Sequence, residues 1–174
     1  MRKQMLLYVA GAALGCVVAH PVHAALPASD VVIAPVEIGP DLQKNLDKQY
    51  GAAEGARLQD CVTRGLERAM ARKSFAVTKP MTIAVRIEDA KPTHPTFHQQ
   101  LQQPSLDPLL SVSIGGARLQ ARLLAPDGTV LGTVEHKQYA MDLRDASLGA
   151  TPWSDACNAI DNFARKVTRA AAAL

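Results

Sequence analysis

An excess of either charge is what this sequence most lacks. Its 174 residues carry 19 Lys and Arg against 16 Asp and Glu, a formal +3. It has neither a basic block nor a basic amphipathic run. The first absence argues against nucleic acid, whose binding demands many phosphate contacts. The second argues against an anionic membrane surface. Catalytic signatures are missing as well. The chain has no Gly-x-Ser-x-Gly elbow for a serine hydrolase. In "SIGGARL", Ser113 to Leu119, no Lys-Ser/Thr follows the glycine pair, so this is not a phosphate loop. Glycines entering a strand serve instead for a bulge or a close backbone approach. No internal repeat and no low-complexity tract appears, and only one long apolar run.

That run is Met5 to Ala19, behind Arg2 and Lys3. It is too short to span a bilayer comfortably and fits the apolar core of a secretory signal. His20-Pro21 ends it, since proline cannot continue a helix. Val22 and Ala24 supply small residues at the third and first positions before a cut, which predicts cleavage between Ala24 and Ala25. The alternative is an outer-membrane lipoprotein anchored at Cys16. Lipid attachment asks for a larger aliphatic residue three places before the cysteine and a small one two places before; Ala13 and Leu14 stand the other way round. The expected organisation is therefore a signal peptide, residues 1–24, and one domain, residues 25–174. That domain has 17 basic against 16 acidic residues once Arg2 and Lys3 are removed. It is long enough for a real core, and its expected address is the periplasm, with no membrane span after cleavage.

Cleavage also changes the cysteine arithmetic. Of three cysteines, Cys16 goes with the signal and Cys61 and Cys157 stay. Both lie on apolar stripes of predicted helices, and the compartment is oxidising. Helices packed side by side let the two face each other, which predicts a disulfide. It would enclose 95 residues, for which loop entropy allows up to about 4.7 kcal/mol.

The stripes come from periodicity. Val31 to Ile38 is rich in β-branched residues and reads as a strand with a bulge or edge at Pro35. Leu42 and Leu46 mark a helical turn within 39–55. Leu58, Cys61, Val62, Gly65, Leu66, Ala69 and Met70 form one face of a helix over Glu54 to Lys73, with Asp60 and Arg64 as an i,i+4 pair. Phe75 to Val77 reads as a short strand and Thr82 to Ala90 as a longer one. Lys91 to Pro108 holds four prolines and four glutamines and reads as a long exposed loop with a helical turn at Phe97 to Gln102. Ala117 to Leu123 alternates like a half-buried strand. Pro126-Asp127-Gly128 turns it into a return strand over Thr129 to Tyr139. Thr151 as N-cap and Pro152 as first helical residue open a last helix. Its stripe includes Trp153, Cys157, Ile160, Phe163 and Val167, with Asp161 and Arg165 paired outside. The order is β-α-β-β-β-β-α, an α+β two-layer sandwich whose mixed sheet carries both helices on one face.

Candidate sites are weak. His94 and His98 have a spacing that binds zinc on a helix, but Pro95 works against helix at His94 and no ligand set completes the pair. They read as solvated loop histidines. His136 reads as an exposed or hydrogen-bonded strand residue. Glu88-Asp89 reads as a solvated turn, and Trp153 as core packing rather than a partner anchor. No catalytic residue, cofactor or metal is expected.

Four segments, "VVIAPVEI", "MTIAVRIEDAKPTHPT", "SVSIGGARLQARLLAPDGTVLG" and "PWSDACNAIDNFARKV", resemble a family of bacterial envelope proteins, domain of unknown function 3313. Its members are mostly predicted lipoproteins. The resemblance covers most of residues 25–174. It implies a compact α/β domain similar in layout to the N-terminal domain of the translocation protein TolB and to curli-secretion lipoproteins, and it brings no catalytic residues. The resulting expectation is a non-enzymatic envelope protein that binds a protein partner, with Lys91 to Pro108 as the working surface. A small-ligand or lipid binder is the alternative.

Overall fold

A computed structural model describes residues 30–72, 74–144, 146 and 151–174. The expected signal, with Cys16 and the Ala24–Ala25 junction, lies outside the described residues. Among those that are described, no helix is long and apolar enough to cross a membrane.

The fold is α+β, as the pattern predicts: one mixed five-stranded sheet with its main helices on one face. The strands are β1 (Val31–Ile33), β2 (Glu37–Ile38), β3 (Met81–Lys91), β4 (Gly116–Leu124) and β5 (Val130–Tyr139). Their order is β1-β3-β4-β5, with β2 also paired to β3. β1 and β2 run parallel to β3, while β4 is antiparallel to both β3 and β5. The helices are α1 (Pro40–Asn45), continued by a π-helical turn (Leu46–Tyr50), α2 (Ala53–Met70), α3 (Phe97–Gln102) and α4 (Ser154–Ala172).

Local chemistry explains each break. Pro35 has no N–H for the ladder, so the strand expected over Val31 to Ile38 splits in two; Ala34 N donates to Ile83 O at 3.0 Å just before the break. Pro40 then occupies the first position of α1, where its missing N–H costs nothing. The wide π turn keeps Leu42, Leu46 and Tyr50 all buried. Gly51 ends it at φ 98°, a conformation that favours glycine.

The core lies between the helix-side face of the sheet and the stripes of α2 and α4. Ile83, Val85 and Ile87 of β3 and Leu119, Ala121 and Leu123 of β4 meet Leu58, Val62 and Leu66 of α2 and Ile160, Phe163 and Val167 of α4. The alternate strand residues form the other face, away from α2 and α4. There Arg86 bonds Glu37 through two nitrogens at 2.8 and 2.9 Å, and Gln120 bonds Glu135 at 3.0 Å.

Three predicted details differ. Phe75 to Val77 is no strand: Phe75 N closes a turn on Arg72 O and only Val77 makes an isolated bridge. α4 begins at Ser154 rather than Pro152, with Trp153 as its N-cap. The Pro152 carbonyl is taken by the N–H groups of Thr93 and His94, so 151–153 form a turn rather than the first helical residues. Asp161 does not pair with Arg165; it reaches across to Arg68 on α2 at 2.7 Å, and Arg165 bonds Asn162. The pair Asp60–Arg64 forms as expected.

Candidate binding surface

β3 ends, β4 begins, β5 ends and α4 begins at the same end of the sheet. The strap 92–115 therefore crosses this end, beside the start of α4, and its neck is tightly tied. Thr93 is fully buried; its N–H donates to Pro152 O at 2.7 Å and its carbonyl accepts from Ser113 N at 2.8 Å. Its hydroxyl accepts from Asp155 N at 3.2 Å, and Ser113 Oγ donates to Pro92 O at 2.6 Å. The predicted close approach at the glycine pair is real. A Cβ on Gly115 would overlap Thr93 Oγ1, and one on Gly116, at φ 149°, would overlap the Gln138 carbonyl oxygen.

Above the neck the strap is shaped by its own polar groups. Thr96 and Gln99 form a capping box that starts α3, so the predicted helical turn at Phe97 to Gln102 has a definite cause. Gln102 Nε2 donates to the Lys48 carbonyl at 3.3 Å, and His98 lies against Gly51. Both hold α3 onto the π turn. Asp107 is the sole Asp, Glu, Lys or Arg between residues 92 and 115. Its carboxylate accepts from Leu110 N at 2.7 Å and Leu109 N at 2.8 Å. These two bonds, Leu110's first, hold its pKa below the usual carboxylate range. The one charge of the strap thus sets the turn that displays Leu109 and Leu110.

What the strap displays is apolar. Phe97 is 70% exposed, Leu101 64%, Leu109 69% and Leu110 83%; Met141, just past β5, is 89% exposed. Ile114 and Leu143 bring to seven, out of ten among the described residues, the exposed large hydrophobic side chains at this end. Scattered single hydrophobics are ordinary on a protein surface, but a concentration is not.

Beneath the strap lies a polar layer that composition did not reveal. Trp153 is buried, as expected, but its indole N–H donates to the buried Glu54 carboxylate at 2.7 Å and its ring meets Tyr50 edge-on at 5.6 Å. Tyr139 donates to Asp89 at 2.6 Å; burial first, then this bond and the Asp89 charge, push the Tyr139 hydroxyl well above its usual pKa. Glu88 and Asp89 are no solvated turn. They sit within β3 where its register with β4 shifts, and the bulge turns Asp89 toward Tyr139.

The histidines separate. His94 is buried, not solvated, and its Nδ1 has no hydrogen-bond partner among the described residues. His98 shares a hydrogen bond of 2.9 Å with Gln102. Among the described residues no three His, Cys, Asp or Glu gather as a metal site. His136 is buried on the helix side, stacked on Phe163, with Lys166 Nζ 2.9 Å from Nδ1 and Gln138 3.3 Å from Nε2. Cys61 and Cys157 are bonded, S–S 2.01 Å and Cα–Cα 5.9 Å, and join α2 to α4 as predicted.

No family model matches the chain, and no curated protein matches it. Among solved structures, the dodecamer of a single-substitution variant of PelC from Paraburkholderia phytofirmans is similar over 83% of this chain and 87% of that one, at 10% identity and a TM-score of 0.42.

Proposed function

We propose that this is a non-enzymatic protein of the bacterial envelope that binds a protein partner through the strap end of its sheet. The envelope address rests on the N-terminal segment and on the resemblance of its strands and last helix to an envelope family. The observation that carries the binding reading is the concentration of exposed apolar side chains on a strap whose base is rigidly tied. Burying a Phe or Leu contributes about 1.5–3 kcal/mol, so Phe97, Leu101, Leu109 and Leu110 supply the hydrophobic centre of a specific interface. The tied neck lowers the ordering cost of association.

Site-specific photo-crosslinking in intact cells tests this. A crosslinker at Leu110 is expected to give a discrete protein adduct that the same group at Val130, at the opposite end, does not give. Leu109→Ser should weaken that adduct. The same adducts from both positions, or none from Leu110, would overturn the assignment of the surface.

A further inference from the structure

The opposite end of the molecule carries a different chemistry. α2 and α4 both finish there, and a cleft between their ends is lined by Arg72, Ser74, Phe75, Arg165, Thr168 and Arg169. All three arginines are exposed. Among the described residues none of them has a carboxylate within ion-pair distance. The nearby Asp161 is already engaged by Arg68. Arg169 Nε donates to the Arg165 carbonyl at 3.2 Å, which fixes the Arg169 guanidinium against the backbone of Arg165. Helix-terminal carbonyls favour cations in a last turn, and that accounts for Arg169. It does not account for Arg165, about two turns before the end of α4 at 3.6 residues per turn, whose guanidinium donates to the neutral Asn162 amide oxygen and not to a carboxylate. Three like charges around one concavity repel unless an anion joins them.

We propose that this cleft binds a phosphate group. Guanidinium forks match phosphate oxygens two at a time, and the Ser74 hydroxyl adds a neutral donor beside them. Two sources share this chemistry: free phosphate and the phosphodiester of an anionic lipid headgroup. The cluster is invisible in the sequence because Arg72 and the arginines of α4 come from distant parts of the chain. It is independent of the strap, which lies at the other end.

The test compares the full chain with Arg72→Gln/Arg165→Gln/Arg169→Gln and with a matched control, Lys44→Gln/Lys48→Gln/Lys137→Gln. The control removes the same charge from exposed positions elsewhere. One arm follows the unfolding temperature with inorganic phosphate against chloride at equal ionic strength. The other measures co-sedimentation with phosphatidylcholine vesicles, with and without phosphatidylglycerol. Losing charge-assisted hydrogen bonds should weaken binding by about tenfold or more in the arginine variant, with the control unchanged. Stabilisation by inorganic phosphate identifies a free anion. A preference for phosphatidylglycerol vesicles without phosphate stabilisation identifies the headgroup. Failure of both arms, or equal losses in the two variants, would overturn the site.

Discussion

His136 shows how one buried side chain ties the edge strand to α4. Burial first, and then the Lys166 ammonium, hold its imidazole pKa below the ordinary value, against a smaller opposing contribution from Gln138. The unfolded chain returns it to about 6.5. A depressed folded value means that the unfolded state takes up the proton more readily. The stabilisation is therefore complete above about pH 6.5 and is lost as pH falls below it. The urea midpoint should drop between about pH 7.5 and about pH 5, a window that spans the unfolded value, and the drop should be smaller in His136→Gln. An identical drop in both would show that carboxylates elsewhere carry all of the acid sensitivity. Trp153 is the other instructive residue. That it is core was legible in its place on the stripe. That it would bury Glu54 with it was not, because the acceptor its indole requires comes from a distant part of the chain.

At the scale of elements, the helix pair was the most legible part of the fold. Apolar residues repeating at helical spacing gave both stripes, and the stripes put Cys61 and Cys157 where they could meet. Close packing completes the contact: a Cβ on Gly65 would lie 3.4 Å from Ile160 and 3.2 Å from Asp161. The prediction here concerns the bridge. Reduction, or Cys61→Ala with Cys157→Ala, should destabilise the protein by about 2–4 kcal/mol, read as a lower urea midpoint. Thiol titration of the denatured domain without residues 1–24 should find no free thiol. Two titratable thiols, or an unchanged midpoint, would remove the bridge from the account. What resisted reading were element ends that tertiary bonds decide. Thr151-Pro152 has the form of a helix start, yet the neck of the strap takes the Pro152 carbonyl and delays the helix. Asp161 has a helical neighbour at the right spacing, yet it pairs with Arg68 of α2 instead. His94 follows a loop pattern, and the same neck buries it.

For the whole molecule, the sheet separates two surfaces of opposite kind. One end displays apolar side chains on a strap held by Thr93, Ser113 and the Gly115-Gly116 approach; the other carries three arginines around a cleft. The strap was legible as a long loop, but not the way its hydrophobics stand out from it, because a lone Leu in a proline-rich segment reads the same buried or exposed. If display and scaffold are separate, substitutions should divide cleanly between them. Leu109→Ser with Leu110→Ser removes groups that are 69% and 83% exposed, so stability should change by no more than about 0.5 kcal/mol while partner capture falls. Gly116→Ala places a methyl group against the Gln138 carbonyl and asks alanine for a positive φ, which should cost on the order of 1–3 kcal/mol. It should loosen the neck and reduce capture as well. Thermal unfolding of the two variants, set beside crosslinking yield, decides the matter. A large loss of stability in the leucine variant would mean that the strap is part of the core rather than a surface displayed by it.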